Sequence, residues 1–191
     1  MKTYNYTYQN NSFKKPIDFS LFKNEENILI QVFCGQDSNT LQYINNLLSD
    51  EIPQAIIIGT TTDGEIKDKK VSTFKSVISI SIFENSFIKV SMKQGDNSFN
   101  SGYEIAKEII TPNTKLIITF TDGTSTNGEE YLKGITAFND SVMVCGGMAG
   151  DNGLFKQTSL PSGKKLISYG AVAVSLNSDT PQVTNDHKYD W

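Results

Sequence analysis

Three apolar, β-rich runs, Ala55–Ile58, Leu116–Thr121 and Val142–Cys145, each break at once into a glycine-punctuated loop. The loops read G-T-T-T-D-G-E from Gly59 to Glu65, T-D-G-T-S-T-N-G from Thr121 to Gly128, and G-G-M-A-G-D from Gly146 to Asp151. Glycine at the end of a buried strand lets the backbone turn at positive φ or pass close to another group. The hydroxyls and carboxylates beside it aim hydrogen-bonding atoms into the same space. In open α/β sheets ligands sit beyond the carboxyl ends of strands, so three such ends predict one polar pocket.

The stretches between the runs supply the rest of the layers. Ile28 to Cys34 reads as a strand, and Ser38 to Asp50 as a helix with Leu41, Ile44, Leu47 and Leu48 at helical spacing and Ser38 placed to cap it. Gln54 to Gly59 is a strand of the kind buried on both faces. Val77–Phe83 and Phe87–Met92 alternate apolar with polar residues around Glu84-Asn85-Ser86, which predicts a hairpin. Helices are expected over Ser98–Ile110, ended by Thr111-Pro112, and over Asn127–Phe138, with strands at Lys115–Asp122 and Ile167–Leu176. Gly170 marks a bulge or close approach in the last strand. The predicted class is α/β: a layered domain with a mixed, largely parallel sheet plus a β-hairpin. Residues 1–27 read as a lead-in that packs through Phe13, Ile17, Phe19 and Phe22, residues 28–178 as the domain, and 179–191 as a polar tail or the start of a linker, holding the only histidine, His187.

At 191 residues the chain can bury a full core without metals or disulfides. A net charge of −4 with interspersed signs leaves no basic stripe, which argues against nucleic acid. No apolar stretch nears the roughly 20 residues that cross a bilayer, and Met1–Lys15 has no secretory h-region. The reading is a cytoplasmic protein with no membrane partner, with Cys34 and Cys145 as reduced thiols.

The chemistry on offer favours binding. Asp63 and Glu65 flank Gly64, and a catalytic pair would need their pKa values driven apart; the alternative is that Asp63-Gly64 is a turn dipeptide with Glu65 in solvent, and Thr61, Thr62 and Asp63 are separately candidates for ligand contact. Asp122 to Asn127 resembles an anion cradle leading into a helix N-terminus, yet it lacks the Gly-Lys-Ser/Thr of a P-loop. Its alternative is a capping loop. Gly146–Asp151 offers bare backbone beside one carboxylate and is no dinucleotide fingerprint. A nucleophilic Cys145 or Cys34 lacks a base, and one histidine leaves zinc without ligands. No cofactor is expected.

These segments, in this order, resemble the FIST domain, specifically its N-terminal half. Ile58-Gly59-Thr60-Thr61-Thr62-Asp63-Gly64-Glu65-Ile66 matches its I-G-x-(S/T)-(S/T)-x-G-E-I segment, Thr121-Asp122-Gly123 its (S/T)-D-G strand end, and Gly146–Asp151 its G-G-x-A-G-D. A glycine-led β-run like Gly170–Leu176 follows in the family. Thr60 stands where a cysteine is common. The resemblance implies a cytoplasmic sensory input domain of bacterial signal transduction that binds small ligands such as amino acids. It also implies a C-terminal FIST half or an output domain as partner. The expected ligand contacts are Thr61, Thr62, Asp63, Asp122, Thr124, Gly147 and Asp151. A carboxylate, Asp122 or Asp151, would meet a ligand ammonium, and the helix N-terminus with the glycine N–H groups would take its carboxylate. Two other readings stand beside it: a hydrolase or transferase using Asp63 and Glu65, and an interaction module that presents the 77–92 hairpin.

Overall fold

The computed structural model describes residues 1–179 and Val183; His187 and the rest of the expected tail beyond Asp179 lie outside the described residues. In chain order the elements are β1 (Lys2–Gln9), β2 (Ser12–Phe13), a 3-10 turn (Phe19–Phe22), β3 (Ile28–Cys34), α1 (Ser38–Glu51) and β4 (Ile56–Thr61). Next come β5 (Glu65–Lys67), β6 (Lys70–Ser72), β7 (Ser76–Ile82), β8 (Phe87–Lys93), α2 (Ser98–Ile109) and β9 (Thr114–Thr121). The last are α3 (Gly128–Phe138), β10 (Met143–Met148), β11 (Leu160–Ser162), β12 (Lys165–Ile167) and β13 (Ala171–Asn177). One sheet runs β12-β11-β4-β3-β7-β1-β2, a second runs β10-β9-β13-β8, and β5 and β6 form a ribbon of their own.

Strand alternation stacks these elements into four layers. Ile28, Ile30, Val32 and Cys34 of β3 point one way, into a core shared with Leu41, Ile44 and Leu48 of α1. Leu29 and Phe33 point the other way and meet Ile118 and Phe120 of β9 and Val172 and Val174 of β13, so the two sheets pack face to face. The Phe33 and Phe120 rings meet edge to face across that interface, with centroids 5.5 Å apart. On the far face of the second sheet, Ile117, Ala171 and Ala173 pack against Ile105, Ile109 and Ile135 of α2 and α3. The order is helix, sheet, sheet, helix pair. Each fully buried Leu or Ile contributes about 1.5–3 kcal/mol. The helix pair is held unusually close. A Cβ on Gly102 of α2 would lie 2.1 Å from the Tyr131 carbonyl oxygen, and one on Gly134 of α3 would lie 2.0 Å from that of Phe99.

The layered, mixed α/β class holds, and a hairpin is present, but two features differ from expectation. Parallel pairing is confined to β3–β4 and β9–β10; the other pairs are antiparallel. Hairpins form instead at β1–β2, β5–β6 and β11–β12, with β5–β6 closed by Asp68 and Lys69 at positive φ. β7 and β8 do not pair with each other. β7 lies between β3 and β1 in the first sheet and β8 beside β13 in the second, so Phe83–Ser86 is a crossover between layers. The expected lead-in is also structural: Tyr4, Tyr6 and Tyr8 alternate into the core as β1 pairs along β7. The last apolar run divides at Gly170 (φ 111°) into β12 and β13, and a Cβ there would lie 2.1 Å from the Lys93 carbonyl oxygen, a close approach of the kind expected.

Candidate functional site

The three glycine loops meet at one end of the sandwich, and they do so through backbone. After β10, Ala149 N–H donates to the Thr121 carbonyl (2.8 Å) and Gly150 N–H to the Thr61 carbonyl (2.9 Å). The G-G-M-A-G-D segment therefore bridges the ends of β9 and β4, one central strand from each sheet. Thr61 is further held by Ser159, whose N–H donates to its Oγ1 (3.0 Å) and whose carbonyl accepts from its N–H (3.0 Å). Contact this tight requires glycine: a Cβ on Gly123 would sit 1.9 Å from the Ala149 carbonyl oxygen.

The acids and hydroxyls expected to face a ligand are engaged with one another. Asp122 is fully buried. Its carboxylate accepts from the backbone N–H and side-chain hydroxyl of each of Thr124, Ser125 and Thr126, at 2.6–3.2 Å, and from Thr158 Oγ1 at 3.2 Å. Burial opposes ionisation, but these donors outweigh it and hold the carboxyl well below the usual range. Asp151 accepts from the N–H groups of Lys156 (2.7 Å), Phe155 (2.9 Å) and Gln157 (3.2 Å), and the Lys156 contact leads in holding its carboxyl below its ordinary value. Asp63 accepts from Gly153 N–H at 3.2 Å, and its carboxylate lies where a side chain on Gly150 would go. Thr62 Oγ1 donates to Glu65 Oε1 at 2.5 Å. Glu65 turns inward against Gly35, where burial pushes its carboxyl up despite Thr62 and the neighbouring Lys75, while Asp63 turns toward Gly150. The two acids thus point into different surroundings. Of the seven expected contacts, Thr61, Thr62, Asp63 and Asp151 gather at the bridge, Asp122 and Thr124 lie one loop away, and Gly147 stands apart on β10.

Beside Gly147 lies a groove of about 690 Å³ between β10 and α3. Its wall on the sheet side is Thr119, Thr121 and Val144 to Met148; on the helix side it is Gly128, Glu129, Tyr131 and Leu132. Two glycines in succession, Gly146 and Gly147, leave the strand without side chains where the groove is cut. Tyr131 OH and Thr119 Oγ1 bond each other at 2.7 Å. Thr121 Oγ1 is buried in the groove wall with no hydrogen-bond partner. Glu129 at the rim pairs with Lys133 Nζ (2.9 Å), and Asn127 caps α3 by accepting from Glu130 N–H at 3.1 Å. Burial beneath α1 raises the pKa of the Cys34 thiol, and partial desolvation against the groove wall raises that of the exposed Cys145, which leaves neither activated. Both cysteines are free. Among the described residues no group of histidine, cysteine and acidic side chains is placed to hold a metal, and no helix is long and apolar enough to cross a membrane.

Sequence reasoning missed Thr121, Tyr131, Leu132 and Met148. The signal was available, because period-2 alternation through M-V-C-G-G-M puts Val144, Gly146 and Met148 on one face and leaves a gap at the glycine.

No curated protein sequence matches the chain. A family model of the FIST N domain matches residues 28–191, a span that takes in all three helices, all three loops and every strand from β3 onward. The chain therefore belongs to the FIST N-domain family, a family of sensory domains in signal transduction.

Proposed function

We propose that the β10–α3 groove is the sensor's binding site, and that it takes a small amphiphilic molecule such as an amino acid. The observation that carries this reading is Thr121 Oγ1: a buried hydroxyl without a partner is costly, and a ligand that entered the groove would satisfy it. The volume falls in the range typical of small-molecule sites, about 300–1,000 Å³. Leu132, Val144 and Met148 would take the apolar part of the ligand. The N–H groups of the first turn of α3 favour a carboxylate. On this reading Thr61, Thr62, Asp63, Asp122, Thr124 and Asp151 serve binding by holding the loops that shape the groove, while Gly147 opens onto it.

The role is that of a non-catalytic input module in a cytoplasmic, bacterial signalling protein. A C-terminal FIST half or an output domain would dock on the open side of β10 and read the ligand there. Binding would signal by favouring one arrangement of β10 and its bridge over another, as differential affinity requires.

Thermal shift with a panel of amino acids and small carboxylates tests this. Leu132 lies on the helix wall of the groove and is 46% exposed, so Leu132→Trp narrows the groove at little cost to the fold. The expected result is stabilisation of the wild type by one ligand class, its loss in Leu132→Trp, and affinity about tenfold weaker in Thr121→Val. Unchanged binding in Leu132→Trp and in Thr121→Val would move the site elsewhere.

A further inference from the structure

Hydrogen bonding gives the floor of the β10–α3 groove a direction. Alternation along β9 turns Ile118 and Phe120 toward the first sheet, and Ile117, Thr119 and Thr121 toward the helices. Strand register sets Gly146 and Ala173 on either side of Thr119, and Met148 and Ala171 on either side of Thr121. With only glycine and alanine beside it, Thr119 is met from the helix side by the Tyr131 hydroxyl, 2.7 Å away.

The hydrogens of this pair can be assigned. Thr119 Oγ1 lies 3.0 Å from the Val172 carbonyl oxygen. A carbonyl can only accept, so the single hydroxyl hydrogen of Thr119 goes there. Tyr131 must then donate to Thr119 Oγ1. Its own hydrogen is spent, and it keeps an oxygen whose lone pairs have no partner among the described residues. Thr121, two residues along the same strand and so about 7 Å from Thr119, holds its Oγ1 buried with no partner. No lysine, arginine or histidine lines the groove, and Glu129, the one charged residue that does, pairs with Lys133. The floor therefore has two oxygens able to accept and one hydrogen to give.

We propose that Tyr131 sets the ligand specificity of this groove, as a committed acceptor that selects a molecule carrying an N–H or O–H donor over its isostere without one. Thr119 is a positioning residue: by giving its hydrogen to Val172 it obliges Tyr131 to point its own away from the ligand. This inference rests on the groove being the binding site, and it adds which end of the ligand goes down. The donor end reaches the floor, and a carboxylate stays at the first turn of α3. A site built to accept a hydrogen bond rejects the analogue that lacks the donor, because its buried oxygen is then left unpaired.

Isothermal titration of the whole chain with L-leucine, L-methionine and L-phenylalanine, each beside the carboxylic acid that lacks its amine, tests the assignment. At least one amino acid is expected to bind about tenfold tighter than its deaminated partner. Tyr131→Phe keeps the ring and leaves Thr119 its bond to Val172, and it should close that gap by weakening the amino acid alone. Should this variant fail to fold, Thr119→Val carries the test. It frees the Tyr131 hydrogen to turn into the groove and should narrow the gap by strengthening the acid, whereas Thr119→Ser should preserve it. Equal affinities within every pair, or a gap that survives both Tyr131→Phe and Thr119→Val, overturn the role of Tyr131. The groove itself stands in that case if Leu132→Trp still abolishes binding of both members. Absence of binding by every probe, or binding unchanged in Leu132→Trp and Thr121→Val, overturns the groove and this inference with it.

Discussion

Asp122 gives its carboxylate to its own loop and to Thr158, and that makes it the residue whose loss the domain should feel most. Asp122→Asn keeps the size but turns an acceptor-only group into one that presents N–H to hydroxyls and N–H groups already aimed at it. A loss of about 3 kcal/mol is expected, measured by urea denaturation at neutral pH. The pH dependence has a definite sign. The folded carboxyl lies below its unfolded value of about 3.9, so its stabilisation is complete above that value and is lost as pH falls further toward the folded pKa. The gap between wild type and Asp122→Asn should narrow only below about pH 4. Glu65 behaves in reverse. Its folded pKa is raised, so the unfolded state ionises first and the buried carboxyl opposes folding above the unfolded value of about 4.3. Glu65→Gln should therefore stabilise the fold at neutral pH and be without effect near pH 4. These roles were half legible in the sequence. It showed that Asp122, Thr124 and Asp151 bear concentrated hydrogen-bonding atoms, but an acid flanked by hydroxyls looks the same whether the donors close on it or face a ligand.

At the scale of the element, helices were read within a residue or two, because α1, α2 and α3 each carry one apolar stripe and a clear cap. The caps themselves are Asp37, where Ser38 was expected and is instead the first helical residue, with Asn97 and Asn127. Pairing was harder to read. Two alternating strands around Glu84-Asn85-Ser86 give the same local signal whether they fold on each other or part into different sheets, and here packing of both sheets decides. β1 escaped notice because Tyr4-Asn5-Tyr6-Thr7-Tyr8 has a polar composition, though its period of two was there to count. The crossing of α2 and α3 yields the sharpest prediction at this scale. Gly134→Ala would push a methyl group onto the Phe99 carbonyl, which backbone must move to admit, and about 2–4 kcal/mol of stability should be lost. Ala at Gly147, in contrast, should be silent in the same denaturation experiment because the space there is open.

For the whole molecule, the bridge of Ala149 and Gly150 joins groove to sandwich: Met148 in the groove wall is followed directly by the two residues that tie β9 to β4. A ligand present at about a hundred times its dissociation constant should raise global stability by about 2.7 kcal/mol. Slower amide hydrogen exchange should follow at Ala149 and Gly150 as well as in the groove, and protection confined to β10 would mean that the bridge does not transmit.

Sheet order has a consequence for biosynthesis. β13, the last strand among the described residues, lies between β9 and β8, so the second sheet has no middle until residues 171–177 have left the ribosome. β8, α2, β9, α3 and β10 emerge first and must wait with their apolar faces uncovered, which makes them the natural clients of a holding chaperone. Nascent chains arrested before Ala171 should be cleaved readily by protease from β8 onward. Chains released a few residues past Asn177 should resist.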